Sequence, residues 1–140
     1  MIRMEVLALA MSKVNGGLDD PASRAFKLRN PLMLKTYRPE KKVDSENYRI
    51  FTSFGGGFKA SCADLIAKCT GTAHRLSLDN TLRDMLKLFE FTDDRVQRKI
   101  VLFIQHGLED ESVNLNTKMQ WFFEEPAVPE ITEVETVEEN

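Results

Sequence analysis

Apolar residues recur at helical spacing in four separate stretches of this 140-residue chain, which restricts the fold to packed helices. Ile2, Val6, Leu7, Leu9, Ala10 and Val14 predict a first helix with one dominant apolar face. Asn15-Gly16-Gly17 ends it, because glycine supplies the positive φ of a C-cap. Phe54, Phe58, Cys62, Leu65, Ile66 and Cys69 predict a second long helix over 55–69, capped by Ser53 and ended by Gly71. Leu82, Met85, Leu86 and Phe89 predict a helix over 79–90, capped by Ser77 or Asp79. Val96, Ile100, Phe103 and Ile104 predict one over 93–107, capped by Thr92 and closed by Gly107.

The connections are less regular. Asp20 with Pro21 predicts a capped helical turn. Asn30-Pro31 interrupts any long helix in 22–37. Residues 38–47 hold six charged side chains and read as an exposed loop, followed by a short strand at Tyr48–Phe51. A last helical turn spans Thr117 to Phe123. The expected fold is mainly α, a compact helical domain over 1–123 with at most a short strand or hairpin. An acidic tail over 124–140, with Pro126 and Pro129, is expected to be disordered or bound to a partner.

Charge divides at the same boundary. Residues 1–123 hold all 19 Lys and Arg against 15 acidic residues, a net of +4, while 124–140 hold seven Glu and no cation. The overall net charge of −3 therefore describes neither part. With 42% hydrophobic and 29% charged residues, a chain of this length buries a core without help from metals or disulfides. No apolar run approaches the roughly 18 residues of a membrane span, and the N-terminus lacks the pattern of a signal peptide. Cys62 and Cys69 lie seven apart on one helix, about 10 Å along its axis, so they cannot bridge. A reducing compartment suits them as core residues.

Few residues suggest chemistry. His74 and His106 are far apart and the cysteines lack zinc-ligand spacing, so neither a metal nor a cofactor is expected. Gly55-Gly56-Gly57 lacks the Lys-Ser/Thr of a phosphate loop, and close helix packing explains it more simply. Cys62 paired with a histidine is formally a nucleophile and base, but it sits on an apolar face where thiols are inert. Arg24, Lys27, Arg29, Lys35, Arg38, Lys41 and Lys42 could contact nucleic-acid phosphates. Asp44 and Glu46 follow closely, which favours an ordinary solvated face.

The order of features resembles the lysozyme-like domain of phage virion proteins related to lytic transglycosylases. Met11-Ser12-Lys13-Val14-Asn15-Gly16 resembles the end of that family's first helix, with Asn15 where the family has its catalytic Glu. Asn30-Pro31-Leu32-Met33-Leu34-Lys35 matches the Asn-Pro-Gly-Asn-Leu-Arg segment, and Tyr48-Arg49-Ile50-Phe51 the strand that follows. Ser53–Ala60 matches the next helix start, with Gly57 at the family's glycine. Thr81-Leu82-Arg83-Asp84-Met85-Leu86 and Val113-Asn114-Leu115-Asn116 match later segments, so the resemblance covers about residues 4–117.

The resemblance implies a sugar cleft lined by Asn15, Asn30, Pro31, Leu32, Met33 and Tyr48. The departures imply that it is not catalytic. An amide at Asn15 cannot donate and recover a proton, and Leu32 and Met33 replace a glycine and a polar amide. The expectation is a structural or assembly protein of a phage virion, made in the host cytoplasm, homo-oligomeric and bound to other virion proteins. Trp121, Phe122, Phe123, Glu124 and Glu125 are the candidate interaction residues. Two alternatives stand beside it. One is a working muramidase or transglycosylase using Asp19, Asp20 or Glu5 as its acid. The other is a small regulator that binds nucleic acid or protein. No membrane association is expected.

Overall fold

A computed structural model describes residues 2–71 and 75–124. The protein is mainly helical: α1 (Ile2–Val14), α2 (Arg24–Lys27), α3 (Phe54–Thr70), α4 (Leu82–Leu88), α5 (Asp94–Leu108) and α6 (Met119–Phe123). No strand forms among the described residues. The expected strand at Tyr48–Phe51 is replaced by isolated antiparallel bridges, Lys35 with Tyr48 and Val43 with Arg49. Asn47, at φ 69°, turns the chain between them, and the Arg49 and Ile50 N–H groups donate to the Leu34 and Lys42 carbonyls at 2.9 and 3.0 Å, so the segment pairs on two sides without forming a regular ladder. The tail over 125–140 and His74 lie outside the described residues.

Helix α1 is the centre of the molecule. It packs against α3, α5 and α6, and Met4, Leu7, Ala8, Ala10, Met11 and Ser12 are all buried. The dominant apolar face expected of it is shifted: of its six residues only Leu7 and Ala10 are buried, and Met4, Ala8, Met11 and Ser12 join them. A helix surrounded by neighbours is apolar most of the way round, and Ile2, on the predicted face, is exposed. Phe122 from α6 and Ile100 and Ile104 from α5 complete the core with Leu65, Leu82 and Leu86.

Two helix boundaries differ from expectation, for identifiable reasons. Helix α4 is capped by Thr81 rather than Ser77 or Asp79. The Thr81 hydroxyl accepts from the Asp84 N–H at 3.3 Å and the Asp84 carboxylate accepts from the Thr81 N–H at 2.9 Å, a capping box. Helix α5 is capped by Asp93 rather than Thr92, and Gly107 lies inside it rather than closing it. A Cβ on Gly107 would stand 3.0 Å from a Val6 methyl, so this glycine permits close approach of α1. Glu109, in the left-handed conformation, ends the helix. The turn expected at Asp20-Pro21 begins later: Asp20 accepts from the Ala22 N–H, and Ser23 caps α2.

Candidate functional site

The segment between α2 and α3 is positioned by two contacts. Gly57, in the first turn of α3, passes so close to the Arg29 carbonyl that a Cβ would stand 1.9 Å from its oxygen. Asn30, fully buried, donates from its amide to the Leu34 carbonyl at 2.9 Å and the Arg49 carbonyl at 3.0 Å. Its own oxygen accepts from the Leu34 N–H at 2.8 Å. Three bonds from one side chain fold residues 30–34 into a fixed arch against the start of α3.

Under this arch lies a cleft of about 620 Å³ lined by Asn15, Leu32, Met33, Lys35, Tyr48, Asp64, Lys68, Arg75, Phe89 and Glu90, among others. Asn15, Leu32, Met33 and Tyr48, four of the six residues expected to line a cleft, meet here. Asn30 and Pro31 do not. Both are buried, Asn30 as the tie just described and Pro31 through its carbonyl, which accepts from the Asn15 amide at 3.0 Å. Leu32 points into the core, only 3% exposed. Met33 adopts φ 56°, a conformation that glycine and asparagine tolerate and methionine does not favour.

The far wall was not foreseen. Asp64 and Lys68 form an ion pair at 2.9 Å, one turn apart on α3, and the Lys68 ammonium lies 5.4 Å from the Phe89 ring centroid. Glu90, at φ 66° just beyond α4, lines the same wall. An Asp-Lys spacing of four on a helix was the readable signal for the pair. Nothing in the residue order signals Glu90, whose place depends on where α4 stops. At the opposite side, the Tyr48 ring has the Lys35 ammonium at 4.8 Å and the Arg24 guanidinium at 4.9 Å.

None of the three stand-in acids lines the cleft. Asp19 pairs with Lys13, Asp20 holds its own turn, and Glu5 projects from α1. Among the described residues, Asp44, Asp84 and Asp110 are the carboxyl groups with displaced pKa, all downward, and none is in the cleft. For Asp44, partial burial opposes ionisation, but N–H bonds from Glu46 and Tyr48 and the Arg24 guanidinium prevail. The Ser112 hydroxyl and N–H hold Asp110 down. Burial, with Glu5 nearby, pushes the Cys62 thiol up to about 11, away from the thiolate form that a nucleophile needs.

Two of the seven basic residues that could contact phosphates, Arg24 and Arg38, carry acidic partners. Arg24 bonds Asp44 at 2.5 Å and Glu46 at 2.5 Å, and Arg38 pairs with Glu40. At the C-terminal end, Phe122 is fully buried in the core and cannot serve as a contact residue. Trp121 and Phe123 are half-buried against the core, with the Arg3 guanidinium 4.0 Å over the Trp121 ring. Glu124 is exposed and 3.8 Å from Arg3, and Glu125 lies outside the described residues.

Among the described residues no cluster of three His, Cys, Asp or Glu side chains comes together, and no helix is long and apolar enough to cross a membrane. Comparison of the chain with family models, with curated proteins and with solved structures finds no match.

Proposed function

We propose that this protein is a non-catalytic structural or assembly component of a phage virion, built on a lysozyme-like domain whose cleft no longer cleaves glycans. The observation that carries the reading is Asn15. It stands at the end of α1, at the head of the cleft, with its amide bonded to the Pro31 carbonyl. Glycoside cleavage needs a carboxylic acid held protonated beside the scissile oxygen. A backbone carbonyl 3.0 Å away suits such an acid, because it accepts a bond from the protonated form and repels the ionised one. Asn15 occupies that environment and cannot move a proton. Leu32, committed to the core, and Met33 fill positions where a glycan cleft would present space and a polar amide.

A virion role, association with other virion proteins and self-assembly follow from the resemblance of residues 4–117 and from the loss of the acid. The test is purified protein assayed on peptidoglycan, with its mass in solution measured alongside. Absence of turnover together with a stable oligomer supports the reading. Turnover by the unmodified protein overturns it.

One observation favours a second reading, a working glycan-cleaving enzyme. Glu90 and Asp64 are carboxylates in the cleft wall. Asp64 is held by Lys68, so Glu90 is the group that would serve as acid. Activity abolished by Glu90→Gln would establish this alternative.

A further inference from the structure

On the side of α1 that faces α5 lies a groove of about 860 Å³. Its floor and walls are apolar: Ala10, Val14, Val96, Leu102 and Phe103. Leu102 is 54% exposed, a large apolar side chain left in water. Lys13, Lys99 and His106 line the edges. Lys13 pairs with Asp19, whereas Lys99 has no carboxylate partner among the described residues.

We propose that the occupant of this groove is the chain's own acidic C-terminal segment, residues 128–137. Four observations select it. First, the last described residues pack on α1, the helix that forms one side of the groove, about 10 Å along its axis from Ala10. Arg3 donates to the Trp121 carbonyl at 3.0 Å and lies 3.8 Å from Glu124. Arg3, Ala10 and Lys13 lie on the same side of α1, so the exit point and the groove share that side of the helix.

Second, the pattern fits. Val128, Ile131, Val134 and Val137 recur at every third residue, with Pro129, Glu and Thr between them. A chain with three residues per turn carries all four on one side and its glutamates on the others. At about 3.1 Å per residue, a segment as long as Ile131 to Val137 would cover about 19 Å in that conformation, close to the roughly 16 Å of α5 from Val96 to Gly107.

Third, the charge fits. Residues 124–140 hold seven Glu and no cation, against a body with a net charge of +4. The acidic side chains Glu109 and Glu111 line a separate hollow on the other side of Leu102 and His106.

Fourth, the alternative occupant is disfavoured by symmetry. A second copy seated through the same groove would place Lys99 and Lys13 of each chain near those of the other. A tethered segment instead meets the groove at high effective concentration.

The experiment is nuclear magnetic resonance of the full-length, isotope-labelled chain at low ionic strength. Methyl contacts from Ile131, Val134 and Val137 to Leu102 and Phe103, unchanged on dilution, are expected. Lys99→Glu, a change on the exposed face of α5, is expected to reduce amide protection of 131–137 by about tenfold, the coupling of one close charge pair. Adding Glu133→Lys and Glu135→Lys to that variant is expected to restore it. Random-coil shifts and no protection over 128–137 in the unmodified chain would overturn the proposal. So would groove signals that respond to protein concentration and are unaffected by serine at 131, 134 and 137, which would assign the groove to a second copy.

Discussion

The Asn15 amide donates a 3.0 Å hydrogen bond to the carbonyl oxygen of Pro31, joining the end of α1 to the arch that roofs the cleft. This bond makes a polar residue at the head of the cleft part of the framework. It also defines what a carboxylic acid at the same place would meet: a carbonyl that favours its protonated form.

Asn30 is the strongest fastener of that arch. Its truncation to alanine leaves the Leu34 N–H and the Leu34 and Arg49 carbonyls without their partner. Asn30→Ala is expected to cost about 3 kcal/mol, because buried groups that lose their hydrogen bonds keep their desolvation penalty. Denaturant unfolding checks this, and a loss below about 1 kcal/mol would show that water replaces the side chain.

Leu32 and Met33 are adjacent but should respond in opposite directions. Leu32 is a core residue, so Leu32→Gly is expected to destabilise by about 3 kcal/mol. Met33 holds φ 56°, and Met33→Asn is expected to stabilise by about 0.5–1 kcal/mol by relieving the left-handed strain. Thermal unfolding of the two single variants separates the effects.

Asp84 contributes a pH-dependent share of stability. The Thr81 N–H and then the Asn80 amide hold its carboxyl below its ordinary value of 3.8. Because the folded pKa is the lower one, the contribution is complete above 3.8 and is lost as pH falls from there through the folded value. Asp84→Asn is expected to lower stability at neutral pH by about 1 kcal/mol, the usual worth of a cap. The gap between the two proteins should close in acid, and a gap that stays constant with pH would contradict the assignment.

Cys62 should be slow to alkylate. A thiol moved from 9.0 to about 11 has roughly 100-fold less thiolate at pH 8. Iodoacetamide labelling of the folded protein is expected to lag behind that of the unfolded chain by at least that factor. Equal rates would mean that α1 and α3 separate easily around it.

The helices α1, α3 and α5 were legible in the residue order because long apolar periodicities leave few alternatives. Their ends were less so. Thr81 outcompetes Ser77 and Asp79 because Asp84 completes the box with it, and Gly107 serves the contact with Val6 rather than a helix end. Around the cleft, the motif order placed Asn15, Leu32, Met33 and Tyr48 together. It misassigned Asn30 because a buried asparagine that ties backbone and one that binds a ligand look alike in sequence. Asp64 and Lys68 were not legible as a wall because polar helix positions usually face solvent, and Glu90 was not because its place depends on where α4 stops.

The most direct measurement is peptidoglycan turnover by the unmodified protein beside its Asn15→Glu variant, with folding of both verified by circular dichroism. A retired cleft predicts no turnover by the unmodified protein and a gain only in the variant, where an acid again faces the Pro31 carbonyl. Turnover by the unmodified protein, lost in Glu90→Gln, would contradict it and identify a working enzyme with its acid on the opposite wall.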